Sequence, residues 1–317
     1  MAGLDTPPQR RDTTTTMSTP QSSASQIEVR ANGLTFTALA EGPTDGPLAL
    51  CLHGFPDSAH TWRHLLPELA AAGFRAVAPW MRGYAPTEVP ADGSYGPGAL
   101  AADAVALHEA LGADERAVLI GHDWGAIAAY GAANVAPERW ARLVTIAIPP
   151  LGSLATKMFA YEQLKRSWYM YFLLTPMADM ALPLDDIAFI DQLWQDWSPG
   201  YDAAADLAYA KDALRDPANL AAAVGYYRAM LGAVAPDPTY AAEAEAGSRI
   251  APQPTLLVHG DQDGASAPSS YLDADAFLSS GSKEETVIGT GHFPHLENPT
   301  QTNRVIVGWV TRWPGGA

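Results

Sequence analysis

Between residues 48 and 148 the chain alternates short apolar runs with longer helical patterns, and no other feature restricts its fold as much. The runs at 48–52, 75–78, 117–120 and 143–148 are separated by helical periods near 59–72, 98–111 and 126–134. Strands that alternate with helices pair in parallel, because each helix returns the chain to the same edge, so a parallel sheet with helices on both faces is predicted. Ahead of it, 26–31 and 34–40 alternate in the strand period around Asn32-Gly33, a dipeptide that supplies the positive φ angles of a tight hairpin. The sheet should therefore begin antiparallel.

The rhythm breaks at Pro149-Pro150. Residues 151–247 show helical periods without a strand pattern, and strands resume at 255–258 and 285–288 before a final helix near 300–310. This divides the chain into a core of 26–150 and 248–317 and an inserted helical cap of 151–247. Residues 1–25, rich in Thr, Ser, Pro and Gln, read as a disordered tail. Arg10-Arg11 has no hydrophobic stretch after it, so it does not read as an export signal.

Composition narrows the function. The chain carries 19 basic and 35 acidic residues, a net charge of -16, which argues against a nucleic-acid or anionic-membrane partner. No apolar run approaches the roughly 18 residues of a membrane span. The lone Cys51, in an apolar run, reads as a buried thiol that cannot form an internal disulfide. A cytoplasmic monomer or homodimer is expected. Neither a histidine-cysteine cluster nor a phosphate-binding glycine loop appears, so no metal or organic cofactor is expected.

The strongest chemical signal is Gly121-His122-Asp123-Trp124-Gly125, between a predicted strand and a helix. Glycines two residues either side of Asp123 allow the sharp turn that exposes a central nucleophile at the sheet edge; alone, the same residues would suit a turn whose Asp caps a helix. After the strand at 48–52, His53-Gly54-Phe55-Pro56 places the Phe55 amide to converge with that of Trp124 as an oxyanion hole. Two late loops, each after a predicted strand, carry Asp263 and His292. The order nucleophile, acid, histidine suits an Asp263–His292 pair, with Asp261 the competing acid and a turn role its alternative. His53, His122, His259 and His295 read as structural hydrogen-bonding residues.

With these motifs the chain resembles the epoxide hydrolases of the α/β-hydrolase superfamily. The similarity runs through HGFPDS (53–58), MRGY (81–84), GHDWG (121–125), WYMYF (168–172), GYYRAM (225–230), HGDQD (259–263) and GHFPHLENP (291–299). The resemblance implies an α/β-hydrolase fold with Asp123 as nucleophile, Asp263 and His292 as the charge pair, and two cap tyrosines that protonate an epoxide oxygen. The second tyrosine maps onto Tyr227. The first maps onto Tyr171, with Tyr169 as the alternative; two residues apart on a helix, they cannot both reach the site. His53, Pro56, Trp168, Tyr169 and Phe293 are expected at the substrate pocket, and cap residues including Phe172, Leu173, Leu174, Trp194 and Trp197 suggest that it is apolar, suited to a small apolar or aromatic epoxide.

An aspartate fits this chemistry because a carboxylate needs no base to make it a nucleophile. Asp123 would open the epoxide to an alkyl ester, and His292, oriented by Asp263, would then activate water against that ester to release a vicinal diol. Two other readings remain. A haloalkane or haloacid dehalogenase shares the aspartate nucleophile, and Trp124 could hold its halide. A catalytically silent protein could bind a ligand beneath the cap.

Overall fold

The computed structural model describes residues 24–312. The predicted tail thus lies almost wholly outside the described residues; its last residue, Ser25, already opens a strand.

Eight strands form one sheet: β1 Ser25–Ala31, β2 Leu34–Glu41, β3 Leu48–Leu52, β4 Arg75–Pro79, β5 Val118–His122, β6 Arg142–Ile146, β7 Thr255–Gly260 and β8 Lys283–Val287, in the order β1-β2-β4-β3-β5-β6-β7-β8. The β1–β2 and β2–β4 pairs are antiparallel, and the remaining pairs are parallel. Asn32 (φ 45°) and Gly33 (φ 76°) form the predicted hairpin. Every residue of β3, β5 and β7 is buried, because a parallel sheet covered on both faces leaves no wet side. Cys51, 0% exposed, belongs to that core.

Two elements differ from the sequence reading. The single helix expected near 59–72 is a 3₁₀ turn, Ala59–Trp62, followed by helix Leu66–Ala71; Pro67, which lacks an N–H, sits in the first turn of the second piece. β8 pairs at Lys283–Val287, slightly earlier than expected, and leaves Ile288 exposed before Gly289 (φ 78°) turns the chain.

Between β6 and β7 the described chain is helical, from Leu151–Lys157 to Ala241–Ala246. Side chains of these helices bind backbone carbonyls of the loops that follow the strands: Trp194 Nε1 donates to Pro56 O (2.8 Å), Tyr226 Oη to Arg82 O (2.8 Å), Asn219 Nδ2 to Gly83 O (2.7 Å) and Arg166 Nη1 to Asp263 O (2.7 Å). These bonds fix the helices over the loops that follow the strands. Arg82 is itself held by Asp103 in a buried two-point ion pair (2.5 and 2.6 Å). Among the described residues no helix is long and apolar enough to cross a membrane.

Candidate active site

The sharpest turn in the sheet lies at Asp123. β5 ends at His122, helix Trp124–Val135 begins one residue later, and Asp123 between them adopts φ 49°, ψ -118°. A non-glycine residue there stores backbone strain, which persists only where the surroundings enforce it. The flanking glycines make the turn possible: a Cβ at Gly121 would stand 2.2 Å from Gly125 O, and one at Gly125 2.0 Å from Leu52 O. The Asp123 side chain makes no capping hydrogen bond to the helix, so the capping alternative does not describe it. Its Oδ1 instead accepts the Phe55 amide at 2.9 Å. The Trp124 amide, in the first turn of its helix, has no intrahelical acceptor.

His292 lies beside this carboxylate, with Nε2 3.7 Å from Asp123 Oδ2 and Nδ1 3.0 Å from Asp263 Oδ2. Asp263 Oδ1 also accepts the amides of Ala265 (2.7 Å) and Ser266 (3.0 Å), which hold it toward the ring. Asp261 is exposed and binds the Gly289 amide, a turn contact away from His292. Burial alone would push the His292 pKa down; the charge of Asp263 and the contacts with Asp123 outweigh it and lift the value to about 10. Burial would raise Asp123, but the adjacent His292 overcomes it and holds the carboxyl below its ordinary range. The resting pair is therefore imidazolium and carboxylate, and His292 Nε2 has no hydrogen-bond partner among the described residues.

Asp123 and His292 line a cavity of about 280 Å³, together with Tyr169 and Tyr227. The two phenol rings are 5.7 Å apart, and Tyr227 also packs edge-on against Phe55 and Trp124. Burial raises both phenol pKa values, and the Asp123 charge adds to the rise. Both hydroxyls thus keep their protons at neutral pH and are available as donors. The preference for Tyr171 is corrected here: it is 38% exposed and lies outside the cavity, whereas Tyr169 is 5% exposed and packs on Trp197 and Tyr227.

Four of the five expected pocket residues also lie elsewhere. His53 is fully buried, with Nδ1 bonded to Gly54 O and Nε2 accepting the Met81 amide. Pro56 offers its carbonyl to Trp194, Phe293 stacks on Trp194 at 3.7 Å, and Trp168 is 47% exposed against Phe172 and Phe189. Trp194 and Trp197 pack beneath the site without lining the cavity. Its apolar wall comes instead from Ile127, Leu151, Leu154, Met158 and Met230, whose helical spacing carried no mark distinguishing wall from core.

A second buried cluster escaped the sequence reading. Asp57, His122 and His295 bring donor atoms within 4.8 Å of one another. Asp57 Oδ2 and His122 Nδ1 are 3.8 Å apart, wider than the roughly 3.3 Å between ligands of a tetrahedral zinc with bonds near 2.0 Å. The cluster lies apart from the cavity that Asp123 and His292 line.

Residues 47–299 match the alpha/beta hydrolase fold family, and the chain belongs to it. It is 33% identical over 217 residues to the AB hydrolase superfamily protein YfhM of Bacillus subtilis, covering 67% of this chain and 76% of that one. It is 26% identical over 316 residues to epoxide hydrolase A of Mycobacterium tuberculosis, covering 89% and 96%. A candidate epoxide hydrolase of Klebsiella pneumoniae superposes with a TM-score of 0.81 at 27% identity, over 91% of this chain and 97% of that one.

Proposed function

We propose that the protein is an epoxide hydrolase that converts an apolar or aromatic epoxide to a vicinal diol through an ester on Asp123. The observation that carries this reading is one cavity with the carboxylate–imidazolium pair and two buried phenol donors on its wall. A halide leaves without a proton, whereas an epoxide oxygen leaves as an alkoxide and needs one. The phenols therefore favour the epoxide over the dehalogenase reading, and the complete set argues against a silent binding protein. The names of the similar proteins point the same way.

Asp123 Oδ2 forms the new bond to an epoxide carbon as the ring C–O bond breaks, and Tyr169 or Tyr227 transfers its proton to the departing oxygen. Oδ1, already on the Phe55 amide, becomes the ester carbonyl oxygen. Esterification removes the Asp123 charge, and with it part of what keeps His292 protonated. The imidazolium proton can then restore the phenol, leaving neutral His292 to take a proton from water as that water attacks Cγ of the ester. Phe55 and Trp124 amides hold the tetrahedral oxyanion; as it collapses the ester C–O bond breaks, the leaving oxygen takes the His292 proton to complete the diol, and the freed Asp123 carboxyl passes its proton to His292.

The test is a paired assay of purified protein on an aryl epoxide and a haloalkane, with Asp123→Ala as the blank. Diol without halide is expected. Halide without diol would replace the reading with a dehalogenase, and neither product would favour the silent binding protein.

A further inference from the structure

Positive charge collects at the end of the sheet away from Asp123. Lys283 opens β8, about 13 Å along the strand from Val287, after which the chain turns toward His292. Lys283 and Glu285 share one face of the strand, since Glu284 between them turns to the other face and bonds His259 Nε2 (3.0 Å). They border a cleft of about 250 Å³ whose opposite wall is helix Pro299–Val310.

That wall carries a basic stripe with a gap in it. Arg304, Gly308 and Arg312 line the cleft at successive spacings of four residues, and the Arg312 amide bonds Trp309 O (3.3 Å), so the turn continues past the helix end. A Cβ at Gly308 would meet nothing within 4 Å, so open space lies between the two arginines. Glycine inside a helix is destabilising relative to alanine, yet no packing contact requires it here.

No carboxylate answers these cations. Arg63, Arg82, Arg139, Lys211 and Arg228 each hold an acidic side chain. Among the described residues Lys283, Arg304 and Arg312 hold none, although the chain has 35 acidic residues against 19 basic ones. Arg142 adds to the crowding: its Cζ lies 4.8 Å from the Trp309 ring centroid, Nη2 donates to Arg312 O, and Nε is buried without a partner. Burial and the Arg312 charge both hold the Arg142 pKa below its ordinary value, as expected of neighbouring cations with no anion between them.

We propose that the cleft binds a small phosphate monoester, at a site separate from the reaction centre. Three cations against the one carboxylate of Glu285 leave two net positive charges, which match a monoester carrying about -1.5 to -2 at neutral pH. Each guanidinium fork can meet a pair of phosphate oxygens, whereas a carboxylate ligand has one pair to share between two arginines. A free ester is favoured over a lipid headgroup because the net charge of -16 repels an anionic membrane surface.

The test is calorimetric titration of the full chain with glycerol phosphate and with acetate, at matched ionic strength and neutral pH. The phosphate should bind about tenfold more tightly than acetate, the scale of one added charge-assisted bond. Arg304→Gln and Lys283→Gln should each weaken the phosphate by about tenfold, while Glu285→Gln should tighten it by about threefold. Gly308→Glu, which sets a carboxylate in the open space on a residue that favours helix, should abolish binding and leave the circular dichroism spectrum unchanged. Absence of saturable phosphate binding, equal affinity for acetate, or full affinity in Arg304→Gln and Gly308→Glu would overturn the proposal. Vesicles of phosphatidylcholine and phosphatidic acid should leave the protein in the supernatant on sedimentation. Protein that pellets with them and does not bind glycerol phosphate would overturn the assignment of a free ligand.

Discussion

Replacing Tyr169 with Phe removes one phenol donor and leaves the ring that packs against Trp197 and Tyr227. At a developing alkoxide in a buried cavity, one charge-assisted hydrogen bond contributes about 1.5–3 kcal/mol. The ring-opening step should therefore slow by about 10- to 150-fold. Tyr227→Phe should fall in the same range, since Tyr227 is equally buried on the same wall. Tyr171→Phe alters a half-exposed residue outside the cavity and should change the rate by less than about twofold, the usual scale of a surface substitution. Rapid quenching of a single turnover, with mass detection of the alkylated enzyme, isolates this step from ester hydrolysis. A Tyr171→Phe defect as large as that of Tyr169→Phe, or a Tyr169→Phe enzyme that opens epoxide at the wild-type rate, would refute the assignment.

Other substitutions probe the frame around the nucleophile. Gly54→Ala would place a Cβ 2.4 Å from Asp123 Cβ and 2.5 Å from its Oδ1, so kcat should drop by about 100-fold, the scale of an ångström misplacement, while circular dichroism stays native. Asp103→Ala leaves the fully buried Arg82 without its two-point partner and should cost about 3–5 kcal/mol of stability, read as a lower urea midpoint; an unchanged midpoint would contradict it. The His292 pKa, about 10 in the fold against 6.5 ordinarily, means that the folded protein binds this proton more tightly than the unfolded chain. The resulting stability is complete below pH 6.5 and is lost as pH rises through about 10. Thermal midpoints should thus decline over that window more steeply in the wild type than in His292→Gln, and parallel curves would contradict the sign.

The sequence was legible where chemistry coincides with strand ends. Asp123, Asp263 and His292 each follow a predicted strand, and a parallel sheet brings those ends to one edge, so their meeting could be anticipated from chain order. The choice between Tyr169 and Tyr171 could not. Helix Trp168–Leu173 is under two turns long, and its rotation is set by Met170 and Leu173 entering the core while Trp168 stays outside. Aromatic residues near the motifs looked like pocket wall, yet Trp194 and Phe293 stack beneath it. The actual wall, including Leu151, Leu154 and Glu243, comes from helices at the two ends of the insertion, which only the tertiary fold brings together.

The most direct test of the central claim is the intact mass of His292→Gln after incubation with an aryl epoxide. With no base to activate water, the ester should persist, and the protein should gain the mass of one epoxide, localised by peptide mapping to Asp123. An unmodified mass despite demonstrated substrate binding, or an adduct on a residue other than Asp123, would contradict covalent catalysis by this aspartate.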